Sequence, residues 1–128
     1  MEVKMKFEKG KSYTRHDISG KVRGGTQDCL PHFNNEVVAV CIRQDLNPSA
    51  PKIMLVGKGR DKIKYSDILC GQTNSVPIFL KRGVNDWQFQ GYFKTAKHTK
   101  DPNDIIEHGR TSGRKDIYIV IHFEEAKQ

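Results

Sequence analysis

A run of cations brackets two glycines near the middle of the chain. Lys52, Lys58, Arg60, Lys62 and Lys64 stand against one carboxylate, Asp61, and Gly57 and Gly59 flank Lys58. A glycine turn frees backbone amides, and a helix starting at Asp61 would add its N-terminal N–H groups; together these hold phosphate oxygens. The spacing is not GxxxxGK followed by Ser or Thr, and GxGxxG fails because position 62 is lysine. A tight turn that touches a nucleic-acid phosphate therefore fits better than a nucleotide-binding loop. A second group of cations, Lys94, Lys97, His98 and Lys100, follows directly on the aromatics Trp87, Phe89, Tyr92 and Phe93. Cations that grip phosphates beside aromatic faces on which a base stacks are the ingredients of nucleic-acid binding. The bland alternative is a hairpin whose aromatics all face the core, with solvated lysines behind it.

Other chemistries find little support. His16, His32, His98, His108 and His122 show no HxH or HExxH spacing, so no metal site is expected. No Gly-x-Ser-x-Gly and no Cys/His pairing suggests a hydrolase; no catalytic residue is assigned and no cofactor is expected. Cys29, Cys41 and Cys70 are odd in number, share no CxxC spacing and follow no signal peptide, which points to a reducing cytoplasm. Cys41 and Cys70 read as small buried hydrophobes.

The 128 residues are read as one domain spanning 1–128. Against 15 Asp and Glu stand 22 Lys and Arg, a formal charge of +7, and the pI near 9.4 favours polyanionic partners, nucleic acid first. No apolar run approaches the roughly 20 residues that span a bilayer, so no membrane partner is expected.

The elements that would position these groups centre on a β-hairpin from Val76 to Lys94. Its turn falls at Arg82 to Asp86, where Gly83 and Asn85 tolerate positive φ, and Gly91 in the second arm predicts a bulge or a close approach of backbone or ligand. Met1 to Lys11 permits an edge strand with Val3, Met5 and Phe7 on one face. Ser12 or Thr14 caps a short helix with Asp17 in its first turn, stopping at Gly20. Arg23 to Asn35 is a long loop of the kind that carries function. The β-branched run Glu36 to Ile42 reads as a buried central strand, antiparallel to Lys52–Val56. A helix capped by Asp61 runs to Cys70, with Gly71 as its stop. Beyond the hairpin a basic loop enters a helix with Asp101 at its N-cap, Pro102 at N1 and Gly109 at its end, and Ile117 to Phe123 closes the fold as a strand. The fold class is α+β: a curved, mostly antiparallel sheet or half-open barrel with two or three short helices.

The order KSYTRHDI, a glycine-bearing loop, VVAVCI, RQDLNPSAP, VGKG, then GQTNSVPIFLKR with WQFQGYF resembles the SET-and-RING-associated (SRA) domain and the SRA-like, PUA-related modules attached to HNH restriction endonucleases. The likeness covers roughly Phe7 to Phe93 and is strongest in the hairpin, where Asn74, Arg82, Trp87, Phe89, Gly91 and Tyr92 fall on the family's pattern. Gly57 and Gly59 match its glycine turn. Asp45 falls near the family's pocket aspartate, without the tyrosine and glycine that flank it there. The resemblance implies a module that reads modified bases in DNA, often by flipping the base into a pocket.

Such a pocket needs an aromatic face, a few fixed polar groups and a cationic rim. The candidates for the base edge are Gln27, Asp45 and Asn47, and for stacking Tyr13, His32 or Trp87. Arg43, Lys58, Arg60 and Lys81 are the candidates for the rim, with Lys97 as a further phosphate contact. The expected partner is nucleic acid, DNA before RNA, in a modification-dependent restriction or phage-defence setting where a separate nuclease subunit would cut. A small nucleobase- or nucleotide-acting enzyme and a basic protein-interaction adaptor remain the alternatives.

Overall fold

A computed structural model describes residues 6–126. Its longest element is strand β7, Asp86–Thr99, in which buried and part-buried residues alternate through WQFQGYF as the period of two requires. The first half of β7 pairs antiparallel with β6, Val76–Gly83, and the second half with β8, Ile117–Glu125. On the far side of β8 lies antiparallel β5, Ile53–Gly57; on the far side of β6 lies β4, Val40–Ile42, which runs parallel to it. The two-residue strand β1, Ser12–Tyr13, adds to β7. The order β4-β6-β7-β8-β5 leaves β4 and β5 at opposite ends of one open, curved sheet, so the expected α+β class holds.

Two bulges in β7 curve the sheet. Opposite Ile78 and Phe79, β7 spends an extra residue, Gln90, beside Gly91; opposite His122 and Phe123 it spends Ala96. A bulge kinks its strand and increases the local twist. Gly91 has φ +130° at this bulge, so the bulge reading holds; what a Cβ there would meet is a side chain, Glu125 Oε2 at 2.6 Å, and not another backbone.

The continuous apolar run VPIFL is explained by burial on both faces. Val76, Ile78 and Leu80 join Val40, Ile42, Met54, Val56, Ile119 and Ile121 in the main core, beneath the helix α2, Arg60–Gly71. Phe79 points the other way into an aromatic cluster with Phe7, Phe89 and Trp87, covered by the helix α1, Arg15–Val22, through Ile18. Each such ring or branched side chain contributes about 2 kcal/mol by leaving water. A third helix, α3, Pro102–Ser112, lies on β8 and buries no residue fully.

Several local expectations need correcting. Val3 and Met5 lie outside the described residues, and 6–10 form bends and turns with Phe7 buried as a core ring, not an edge strand. Thr14, in a reciprocal capping box with Asp17, starts α1, and the helix runs through Gly20 to Val22. The loop Arg23 to Asn35 is partly ordered: β2, His32–Phe33, and β3, Glu36–Val37, make a tight hairpin whose turn residues Asn34 and Asn35 both have positive φ, as that turn demands. The run Glu36 to Ile42 breaks between β3 and β4 because other partners take its backbone. Gln72 binds both the N–H and the C=O of Val37, and Val38 and Cys41 donate to Pro31 and Cys29. Thus β4 is an edge strand, parallel to β6, and it is not the antiparallel neighbour of β5.

Asp61 lies in the first turn of α2 and Gly59 occupies the N-cap without a side-chain bond. Lys94, Lys97 and His98 belong to β7, not to a loop. Asp101 caps α3 as expected, accepting from Asn103 N at 2.8 Å, but the helix continues past Gly109 to a left-handed Gly113.

Candidate nucleic-acid interface

The two ends of the sheet face each other without joining. Between β4 and β5 opens a cavity of about 700 Å³, lined by Cys41 and Ile42 on one side and by Met54 to Gly57 on the other. That size is ordinary for a small-molecule site, about 300–1,000 Å³. Asn47 holds the seam at this spacing: its Oδ1 accepts from the buried Leu55 N at 2.7 Å and its Nδ2 donates to Arg43 O at 2.9 Å. These bonds also explain why the loop after β4 does not form a simple hairpin with β5.

Five cations line the cavity, Arg15, Arg43, Lys62, Lys81 and Arg114, and among the described residues no carboxylate does. Two of the five are neutralised from outside. Arg43 pairs with Asp45 at 2.7 Å, and Arg114 pairs with Asp116 through two bonds of 2.9 and 3.0 Å. The hydrogen bonds from these guanidinium groups hold both carboxyls below their ordinary range, and the bond to Asp45 raises Arg43. Arg114 also donates to Leu46 O and Leu55 O, which braces the β5 edge. Gly57 serves this pair by its missing side chain, since a Cβ there would meet Asp116 Oδ2 at 2.6 Å.

Arg15 is the buried cation of the site, 8% exposed. Its Nη2 donates to Gly25 O and Asp28 O, its backbone N–H donates to Asn85 Oδ1, and its guanidinium lies 5.3 Å from the centre of the Trp87 ring. Nε is buried with no partner among the described residues. One residue thus ties α1, the loop after it and the tip of the β6–β7 hairpin around the cavity, the loop through its side chain and the tip through its backbone N–H. Lys81 also lies near Trp87, 5.8 Å from the ring centre, so the indole attracts two cations through its negative face. Trp87 is 7% exposed and does both jobs left open by the sequence: it packs in the aromatic cluster and it lines the cavity.

Of the residues expected at a base pocket and its rim, Gln27, Asn47, Trp87, Arg43, Lys81 and Gly57 lie along this cavity. The others do not. Tyr13 packs edge-on against Phe7 and Phe79 and accepts from Glu8 N through its hydroxyl. His32 stacks on Tyr65 at 3.4 Å beside a smaller pocket of about 100 Å³. Asp45 is exposed and turned to Arg43. Lys58 and Gly59 form the exposed turn before α2, Arg60 is the exposed first residue of that helix and approaches Asp61, and Lys97 on β7 sits opposite His122 on β8. Sequence reasoning missed Arg15, Arg114 and Asn85, and counted Lys62 only as one of a run. Nothing in the order of residues marks an arginine at the first position of a helix for burial.

No protein-family model matches the chain, and no curated protein matches it in sequence. The fold is similar to that of a solved SRA domain, SUVH5 in complex with hemimethylated CG DNA. The TM-score is 0.64 at 9% identity, over 95% of this chain and 90% of that one. At this identity the likeness is one of fold, and it agrees with the architecture that the hairpin, the glycine turn and the strand order suggest.

Three further features bear on the site. Val84, 97% exposed at the hairpin tip, presents an apolar side chain next to Asn85, which lines the cavity. Burial pushes the Cys41 thiol up to about 12 and also raises Cys29, so neither offers a ready thiolate in the cavity wall. Among the described residues no group of three or more His, Cys, Asp or Glu is placed to hold a metal ion, and no helix is long and apolar enough to cross a membrane.

Proposed function

We propose that this protein is a DNA-binding module that takes a modified or extruded base into the cavity between β4 and β5. The observation that carries the reading is the cavity itself, an opening large enough to admit a base in an SRA-like fold, walled by Trp87 and by five cations and, among the described residues, by no carboxylate. Extruding a nucleotide costs a few kcal/mol of stacking and pairing, which a site recovers by stacking, by hydrogen bonds to the base edge and by cations on the flanking phosphates. Trp87 supplies the aromatic wall, Gln27 an edge-reading amide, and Lys62 and Lys81 the free charges. Val84 is placed to press an apolar group against the duplex, in the manner of wedges that unstack base steps. Double-stranded DNA is favoured over RNA. The cellular role that fits is a cytoplasmic reader in modification-dependent restriction or defence, with cleavage by a separate nuclease subunit.

Fluorescence anisotropy tests this with matched duplexes carrying cytosine, 5-methylcytosine or 5-hydroxymethylcytosine, beside single-stranded DNA and RNA, at two salt concentrations. A duplex preference that depends on the modification, with affinity falling steeply as salt rises, is the expected result. Salt-sensitive binding without preference would reduce the protein to a general nucleic-acid binder. Absence of binding at low salt would refute the reading in favour of an enzyme or an adaptor.

A further inference from the structure

The charge balance of the cavity goes beyond the need to hold a DNA backbone. A buried guanidinium normally has a carboxylate partner, because an unpaired charge away from water is costly. Arg15 has none among the described residues: its Nη2 bonds only to carbonyls and its buried Nε to nothing. Lys62 and Lys81 line the same space and make no ion pair with any described residue, whereas Arg43 and Arg114 are matched by Asp45 and Asp116. Among the described residues, three uncompensated cations thus surround a cavity lined by no acid, and one of them is more than nine-tenths buried. A pocket for the amino edge of an unmodified or methylated cytosine needs an acceptor, and a carboxylate is the strongest one; the side chains that carry charge here are all donors.

We propose that the group read in this cavity is an anionic or acceptor-rich substituent on the base itself, such as a 5-carboxyl group, with Arg15, Lys62 and Lys81 as its counter-charges. The inference rests on the base-reading function proposed above and names its substrate class. The shared alternative source of negative charge is the phosphate of the DNA backbone, which is the same for every base.

Duplexes identical except for cytosine, 5-methylcytosine, 5-hydroxymethylcytosine or 5-carboxylcytosine at one position separate the two sources. At fixed salt, the carboxyl duplex should bind roughly tenfold tighter than the cytosine duplex, the scale of one added charge-assisted hydrogen bond. Lys62→Gln and Lys81→Gln, both at exposed positions that keep the fold, should each shrink that ratio several-fold. Equal affinity for all four duplexes would assign the cations to the backbone and overturn the proposal. A preference for the methyl or hydroxymethyl duplex with no gain from carboxyl would overturn it while leaving the reader function standing. Binding to none of them would remove both.

Discussion

Asn47 offers the sharpest test of how the cavity is built, because the sequence suggests a base-reading amide and the structure shows a brace. Asn47→Ala removes the acceptor of the buried Leu55 N–H at 2.7 Å and the donor to Arg43 O at 2.9 Å. Asn47 is 5% exposed and Leu55 is 4% exposed, so water does not readily replace either bond. An orphaned buried N–H costs about 1–3 kcal/mol and the second bond about 1 kcal/mol, so a loss of about 2–4 kcal/mol is expected. Urea unfolding followed by the fluorescence of Trp87, the only tryptophan, measures it directly. The midpoint should fall while the slope with denaturant stays the same. Asn47→Asp keeps the acceptor for Leu55 N but loses the donor, and should fall between the wild type and the alanine variant. A loss below about 0.5 kcal/mol for Asn47→Ala, the usual range for a surface change, would refute the bracing role and return Asn47 to the base edge.

Other expectations are as direct. Gly91→Ala forces a side chain into φ +130° and against Glu125, and should cost about 2 kcal/mol in the same unfolding assay. His122 is held below its ordinary pKa by burial first, then by Lys97 and His108. Its unfolded form therefore binds the proton more tightly, so the stability it contributes is present above about pH 6.5 and is lost as pH falls through the lower folded value. Urea midpoints measured from pH 7.5 to pH 5 should decline less in His122→Gln than in the wild type. Cys41, with its thiol pushed up to about 12 by burial, should react with a thiol reagent at pH 8 only after unfolding, and labelling of the native protein followed by peptide mapping checks this. Val84→Ser should leave the urea midpoint within about 0.5 kcal/mol of the wild type while weakening duplex binding; unchanged binding would take Val84 out of the interface.

Features that depend only on neighbours along the chain were legible in the sequence. The apolar run VPIFL, the turn residues after it and the alternation in WQFQGYF specified the hairpin, Gly91 its bulge, and Asp101-Pro102 the start of α3, because hydrophobic pattern, φ preference and capping are local properties. Thr14 with Asp17 did the same for α1, although Gly20 was too weak a signal to end a helix whose capping box and Ile18 already held it. The class of fold was legible for the same reason. Which strands meet was not: the ten residues between β4 and β5 suggest a hairpin, yet Asn47 ties that loop to Arg43 and Leu55, and β5 finds its ladder on β8.

The site depended on that pairing. Because β4 and β5 end on opposite edges of an open sheet, a gap remains between them. The gap gathers Arg15, Lys62, Lys81, Trp87 and Arg114 from distant parts of the chain. Composition could announce a basic protein, but not which cations lack partners. Only the fold decides that Arg43 and Arg114 are matched by Asp45 and Asp116 while Arg15 is buried with no carboxylate partner among the described residues, since Coulomb and desolvation energies depend on distance through space and not on order in sequence.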